Sequence, residues 1–192
     1  MNLWPIELFI GVNENHKLND ELAKLMYDVY KKHSLGKEHY ERIPHNIFNM
    51  KDSCVSELRN LLVNTAKQFY DIDENYTIEG HEIVSYNNQF IRHHVDSEEG
   101  DITFQYYVKA PIENETKDIN EFGNAAFVLV NPSRPTGSFL FKNEQLSEYP
   151  ILPRKGLFAM FRSYVPHYQM PYIGEEPMIQ IVVNIKVARE LH

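Results

Sequence analysis

The chain has 192 residues, a mass of 22.6 kDa and a formal charge of −8. That length suits one domain with a full core, and that charge argues against a nucleic-acid backbone as the main partner. The single cysteine, Cys54, excludes an intramolecular disulfide and points to a reducing compartment. The opening LWPIELFIGV is too short for a membrane span and lacks the basic flank of a signal peptide. A cytoplasmic protein with no membrane partner is the expectation.

Residues 3–11 read as an opening strand. A helix follows over about 18–33, where Leu18, Leu22, Leu25, Met26 and Val29 form one apolar stripe. A second helix spans about 52–70, with Val55, Leu58, Leu62, Thr65 and Phe69 at steps of three and four. From Tyr76 onward the character changes. β-Branched and aromatic runs at 76–94, 102–109, 125–130, 138–142, 157–162 and 177–187 are separated by Gly, Pro, Asn and Asp clusters. Two helices followed by many short strands predict an α+β fold. In it an N-terminal layer of two helices (1–71) covers a double-stranded β-helix, or jelly roll, of cupin-like form (76–187). No linker marks a second domain, so 1–192 reads as one. The polar stretch 113–124 is the expected mobile loop.

The chemistry concentrates at His94-Val95-Asp96 and at His167, 71 residues after Asp96. In an alternating strand His94 and Asp96 share a face, while His93 and Val95 point away. Two imidazoles and one carboxylate on one side of a metal leave the opposite positions open, which is the facial arrangement of non-haem Fe(II) oxygenases. Nine histidines make H-x-D a weak signal by itself; the alternative is a half-buried strand His capped by Asp. His81 precedes the strand and reads as a turn residue. Tyr86, eight residues before His94, shares its face if the strand is regular; it is a candidate for binding a cosubstrate carboxylate or a core aromatic. Thr103, Gln105, Tyr107 and Lys109 share one face of the next strand. Tyr106, Tyr107, Phe158 and Phe161 read as core or pocket wall, Asn184 as a polar strand residue, and Lys142 and Arg154 as loop charges.

These segments together resemble the Fe(II)/2-oxoglutarate-dependent oxygenase superfamily, in particular a small prolyl-hydroxylase-like branch found in bacteria and phage. HEIVSYNNQFIRHHVD resembles the lead-in to its H-x-D, ITFQYYVKAP the next strand, LPRKGLFAMFRSYVPHYQMP the segment carrying the distal His, and MIQIVVNIK the closing strand. The resemblance implies a single oxygenase domain with Fe(II) on His94, Asp96 and His167, 2-oxoglutarate and O2 as cosubstrates, and a small-molecule or peptide substrate to be hydroxylated or otherwise oxidised. It departs at Met178, where the closing strand usually offers Arg to the far carboxylate of 2-oxoglutarate. A buried dicarboxylate needs a cationic or strongly donating partner, so Lys109 is the first candidate replacement and Arg162 the second. The same departure leaves open a jelly-roll iron enzyme that does not use 2-oxoglutarate. A non-catalytic jelly-roll binding protein is the third reading. Substrate identity and oligomeric state are not written in these residues.

Overall fold

The order of elements follows from two patterns, a helical stripe early and a two-residue alternation later. The computed structural model describes residues 7–33, 45–70, 72, 74–111, 122–132 and 148–188. It begins with β1 (Leu8–Val12), α1 (His16–His33), a short 3-10 turn (Ile47–Asn49) and α2 (Ser53–Tyr70). The strands that follow are β2 (Tyr76–Ser85), β3 (Ile91–His94), β4 (Ile102–Lys109), β5 (Phe127–Val130), β6 (Glu148–Ile151), β7 (Leu157–Arg162), β8 (His167–Gln169) and β9 (Met178–Val187). They form two antiparallel sheets, one of five strands in the order β1-β7-β4-β9-β2 and one of four in the order β3-β8-β5-β6. The α+β expectation holds in this form: two helices and two antiparallel sheets. Among the described residues no helix is long and apolar enough to cross a membrane.

The helices exist because their apolar stripes have a sheet to cover. Asn15 caps α1, its side-chain oxygen accepting the Leu18 N–H at 3.1 Å, which satisfies one of the donors a helix start leaves free. Leu22 and Met26 of α1 and Leu58, Leu62 and Ala66 of α2 are wholly buried. They meet Ile102, Phe104 and Tyr106 of β4, Phe158 and Met160 of β7, and Ile181, Val183 and Ile185 of β9. A polar rivet crosses this layer: the Tyr106 hydroxyl donates to Asn19 Oδ1 of α1 at 2.6 Å and accepts from Asn13 Nδ2 at 3.0 Å. The turn into β7 needs Gly156, whose φ is 80° and where a Cβ would stand 2.2 Å from the Asn13 carbonyl.

Alternation sends the other residues of the same strands between the two sheets. Tyr107, Phe161 and Met178 of the larger sheet there meet Phe127, Leu129 and Ile151 of the smaller one, forming a second apolar cluster. Both faces of β4 and β9 are therefore covered, and seven of the eight β4 residues are buried.

Two strand boundaries differ from those the sequence predicts. The run 76–94 is two strands in different sheets, parted at Asn87-Asn88, with Asn88 at φ 68°. Asn tolerates that left-handed conformation better than most residues. The run 157–162 is followed by a strand of its own: β7 ends at Arg162, the chain turns over 163–166, and His167 opens β8 in the other sheet. The predicted strand at 138–142, and most of the loop expected at 113–124, lie outside the described residues.

Candidate metal centre

Three turns of chain converge on one point between the sheets. His94 ends β3 and His167 begins β8, and the two are direct cross-strand partners with ring centroids 4.3 Å apart. Asp96 follows β3, its backbone N–H donating to the Ser163 carbonyl at 2.9 Å. That bond ties the turn after β3 to the turn after β7 and brings the carboxylate under both imidazoles. Asp96 Oδ1 is 3.5 Å from His94 Nε2, and Asp96 Oδ2 is 3.6 Å from His167 Nε2. One ligand atom from each of the three residues lies within 4.8 Å of the others.

Both imidazoles are aimed by their far nitrogen. His94 Nδ1 is 2.7 Å from the Arg92 carbonyl and His167 Nδ1 is 2.9 Å from the Val165 carbonyl. A carbonyl only accepts, so each Nδ1 carries a proton, and in the neutral ring the Nε2 lone pair is the one that faces Asp96. A backbone carbonyl fixing the tautomer in this way is a common support for metal-binding histidines. Phe127 and Phe161 flank the His167 ring at 5.1 and 5.2 Å, holding it from two sides.

Burial sets the electrostatics. His167 is 3% exposed, and burial lowers its pKa from 6.5 to about 4, keeping the ring neutral. Burial likewise raises the Asp96 pKa above the ordinary carboxylate value, opposed by the His94 charge and a hydrogen bond from Thr103. A neutral His167 ring beside a costly carboxylate makes a donor set that a cation completes. His94 is the open side, its side chain 41% exposed.

The support behind Asp96 comes from two strands and the turn after β7. The Thr103 hydroxyl of β4 lies 3.3 Å from Asp96 Oδ2, 2.8 Å from Ser163 Oγ and 2.7 Å from Asn184 Oδ1 of β9. Asn184 Nδ2 donates in turn to Glu99 Oε2 at 2.9 Å. Glu99 itself has its pKa raised, first by burial and then by the nearby Asp96. Groups that orient a metal ligand contribute about ten- to a hundredfold in affinity. Thr103→Val should therefore weaken Co(II) or Fe(II) binding by about tenfold, while Thr103→Ser keeps it; equal affinities in a metal titration of both variants would remove Thr103 from this role.

A cavity of about 120 Å³ opens beside the three residues, walled also by His81, Ile83, Ile91, Glu99, Gln105, Phe127 and Val182. His81 stands inside β2 opposite Val182, not in a turn before the strand. Deeper between the sheets, Gln105 donates to Gln180, and Gln180 Nε2 donates to Gln169 Oε1 at 2.6 Å.

The structure brings His94, Asp96 and His167 together, and it leaves His93 on the outer face, 6.3 Å from the Tyr168 ring. Three other candidates are not at this cavity. Tyr86 lies past the end of β2 and packs among the helix-side residues, its ring 6.1 Å from that of Tyr30 and its hydroxyl engaged with Tyr27. It would share the face of His94 only in an unbroken strand, and the turn at Asn88 removes that relation. Arg162 faces the helix side with Phe158 and Met160, stacked 4.0 Å over the Tyr70 ring and 3.8 Å from Glu7. Lys109 bonds Glu176 at 3.1 Å near the surface, because the β4–β9 register shifts between Tyr107 and Lys109 and breaks the alternation there. Met178 is wholly buried in the inter-sheet cluster. The residues that sequence reasoning missed are Ser163, Glu99, His81, Gln169 and Gln180; only strand pairing over 60 residues or more would have joined Thr103 to Ser163 and Asn184.

No protein-family model matches the chain, and no curated protein sequence matches it. Solved structures do. A prolyl-4-hydroxylase from Pseudomonas putida superposes with a TM-score of 0.64 at 12% identity, over 98% of this chain and 92% of that one. HygX from Streptomyces hygroscopicus, solved with nickel and 2-oxoglutarate bound, gives a TM-score of 0.62 at 8% identity, covering 95% of this chain and 83% of HygX. An oxidoreductase of the 2OG-Fe(II) oxygenase family from Burkholderia pseudomallei gives 0.51 at 12% identity, covering 71% of this chain and 60% of that longer one. With two helices on one of two antiparallel sheets, and His94, Asp96 and His167 gathered between those sheets, the chain has the fold of the 2OG-Fe(II) oxygenases.

Proposed function

We propose that this protein is a mononuclear non-haem Fe(II) oxygenase, a single-domain double-stranded β-helix that uses 2-oxoglutarate and O2 to hydroxylate or otherwise oxidise a small-molecule or peptide substrate. The observation that carries the reading is the convergence of two tautomer-locked Nε2 atoms and one buried carboxylate within 4.8 Å. His94 and His167 would hold the metal through Nε2 and Asp96 through its carboxylate. Two imidazoles and one carboxylate with an open side suit Fe(II) better than structural zinc, whose sites are closed and rich in thiolate. Bound there, iron supplies the oxygen chemistry, while the chain orients the ligands and keeps the inner side of the site dry. HygX, solved with iron and with nickel plus 2-oxoglutarate, supports the metal and the cosubstrate together. A cytoplasmic setting accords with the lone buried thiol of Cys54.

The metal fits the residues present; the far carboxylate of 2-oxoglutarate meets a different environment. Among the described residues no Lys or Arg lines the cavity, so neutral donors would have to receive it. Met178 also motivates a second reading, an iron enzyme of the same fold that does not use 2-oxoglutarate.

Anaerobic Fe(II) titration with and without 2-oxoglutarate separates the readings. A charge-transfer band that needs both components is the expected result. Tight iron binding without that band would favour the second reading, and a failure to bind iron would leave a non-catalytic binding protein.

A further inference from the structure

One carboxylate at the metal centre belongs neither to the ligand cluster nor to an ion pair. Glu99 lines the cavity beside His94, Asp96 and His167, yet it stands outside the group whose ligand atoms converge. The chain holds it there by its backbone and by its side chain. The Glu99 and Gly100 N–H groups both donate to the Asp96 carbonyl, at 2.9 and 3.0 Å, so the turn is built on the ligand residue itself. Gly100 lets that turn lie against β9: a Cβ there would stand 3.0 Å from Asn184 Cβ and 3.1 Å from the Ile185 carbonyl. The Asp101 N–H then donates to the Ile185 carbonyl at 2.8 Å and closes the turn onto the strand. Asn184 Nδ2 donates to Glu99 Oε2 at 2.9 Å, and Oε1 has no partner among the described residues. Glu98, its neighbour on the same turn, is exposed and does not line the cavity.

We propose that Glu99 is a specificity-determining residue of this site, accepting a charge-assisted hydrogen bond from a cationic nitrogen group, amine or guanidinium, on the substrate. The inference rests on the functional reading above and names the class of substrate that site would take. No Lys or Arg among the described residues lines the cavity to compete for the carboxylate. Lys186, two residues beyond Asn184 on β9, lies outside it. A bound metal would offset the charge of Asp96, whereas Glu99 keeps its own for the ligand. A carboxylate already held by Asn184 loses little freedom when it binds, which favours recognition over a loose surface charge. A neutral substrate is disfavoured twice, because it forms no charge-assisted bond and covers the carboxylate without replacing its water. Ile83, Ile91 and Val182 in the same walls suit an aliphatic stem behind the charged head. The formal charge of −8 acts in the same direction by drawing cations toward the protein.

The test uses the full chain loaded anaerobically with Co(II), whose visible spectrum reports a ligand entering beside the metal, with 2-oxoglutarate both present and absent. The probes are two matched pairs: L-arginine against L-citrulline, and L-lysine against its methyl isostere 2-aminoheptanoate. Each is used as the free amino acid and as the centre of a capped tripeptide with glycine on both sides. The expected result is that the cationic member of at least one pair binds about tenfold or more tighter than its neutral partner, the worth of one charge-assisted hydrogen bond. Glu99→Gln should bring that ratio close to one. Glutamine still accepts from Asn184 through its amide oxygen, so the turn has no reason to open. Glu98→Gln removes the same charge one residue away and should keep the ratio. Absence of a cationic preference in both pairs, including a failure of every probe to bind, would overturn the inference. So would a preference that survives Glu99→Gln, or one that Glu98→Gln abolishes equally. The wild-type comparison needs no substitution, so it stands even where a variant folds poorly. Metal bound without the cationic preference sinks this inference alone, whereas no metal bound sinks the functional reading and this with it.

Discussion

Replacing His167 with alanine should lower Fe(II) affinity by more than about a hundredfold, because even groups that merely orient a metal ligand are worth about ten- to a hundredfold. His94→Ala and Asp96→Ala should do the same, since all three ligand atoms fall within one 4.8 Å cluster. The fold should survive each change. His94 lies at the rim, and the smaller sheet also pairs β8 with β5. Asp96 is a desolvated carboxylate whose raised pKa records a cost to the metal-free fold, so its removal does not subtract a stabilising charge. His93→Ala is the matched control one residue away: its ring lies toward Tyr168 on the outer face, and its iron content should equal that of the wild type. Iron and protein quantified together after anaerobic loading and gel filtration give the answer. A full complement of tightly held iron in His167→Ala would end the assignment of this site.

Much of this centre was legible in the sequence because it depends on local pattern. The alternation Ile102-Thr103-Phe104-Gln105-Tyr106-Tyr107 sorts correctly into a helix-facing set and a site-facing set. Strand β4 and strand β7 begin and end where the runs do. Val55, Leu58, Leu62 and Thr65 of the α2 stripe are buried, while Phe69 at its end is exposed. What failed were inferences that needed a strand to stay regular. Tyr86 shares a face with His94 only along a run that in fact turns at Asn88. Lys109 shares a face with Thr103 only along a strand whose register in fact shifts just before it. His167 opens a separate strand after Pro166, and its three residues are too few to show a period of their own. The support for Asp96 was hidden for another reason. Thr103, Ser163 and Asn184 come from three places in the chain and meet only through sheet pairing. Tertiary geometry, and not propensity, selects such partners.

Acid should unfold the metal-free protein through His167 before it does so through the surface histidines. The ring takes a proton at about pH 4 in the folded state, against an ordinary value of 6.5. Above pH 6.5 both states hold it neutral and its contribution to stability is fully present. As pH falls from 6.5 toward 4 the unfolded chain binds a proton that the folded site refuses, and stability is lost through that window. The gap of about 2.5 pH units, at about 1.36 kcal/mol each, corresponds to about 3 kcal/mol. Asp96 acts in the opposite sense, because its raised pKa lets the folded state take up a proton before the unfolded chain does. It offsets part of the loss toward the acid end of the window. Urea midpoints of the chelator-treated protein between pH 7.5 and 4.5, measured beside His167→Asn, isolate the effect. The wild-type curve should fall more steeply than the variant's below pH 6.5, and the two should run parallel above it. Bound metal should steepen the wild-type curve further, since protons and metal compete for the same Nε2 atoms. Parallel curves across the whole range would show that His167 is not held neutral by its surroundings, and the case for a preformed lone pair facing Asp96 would go with it.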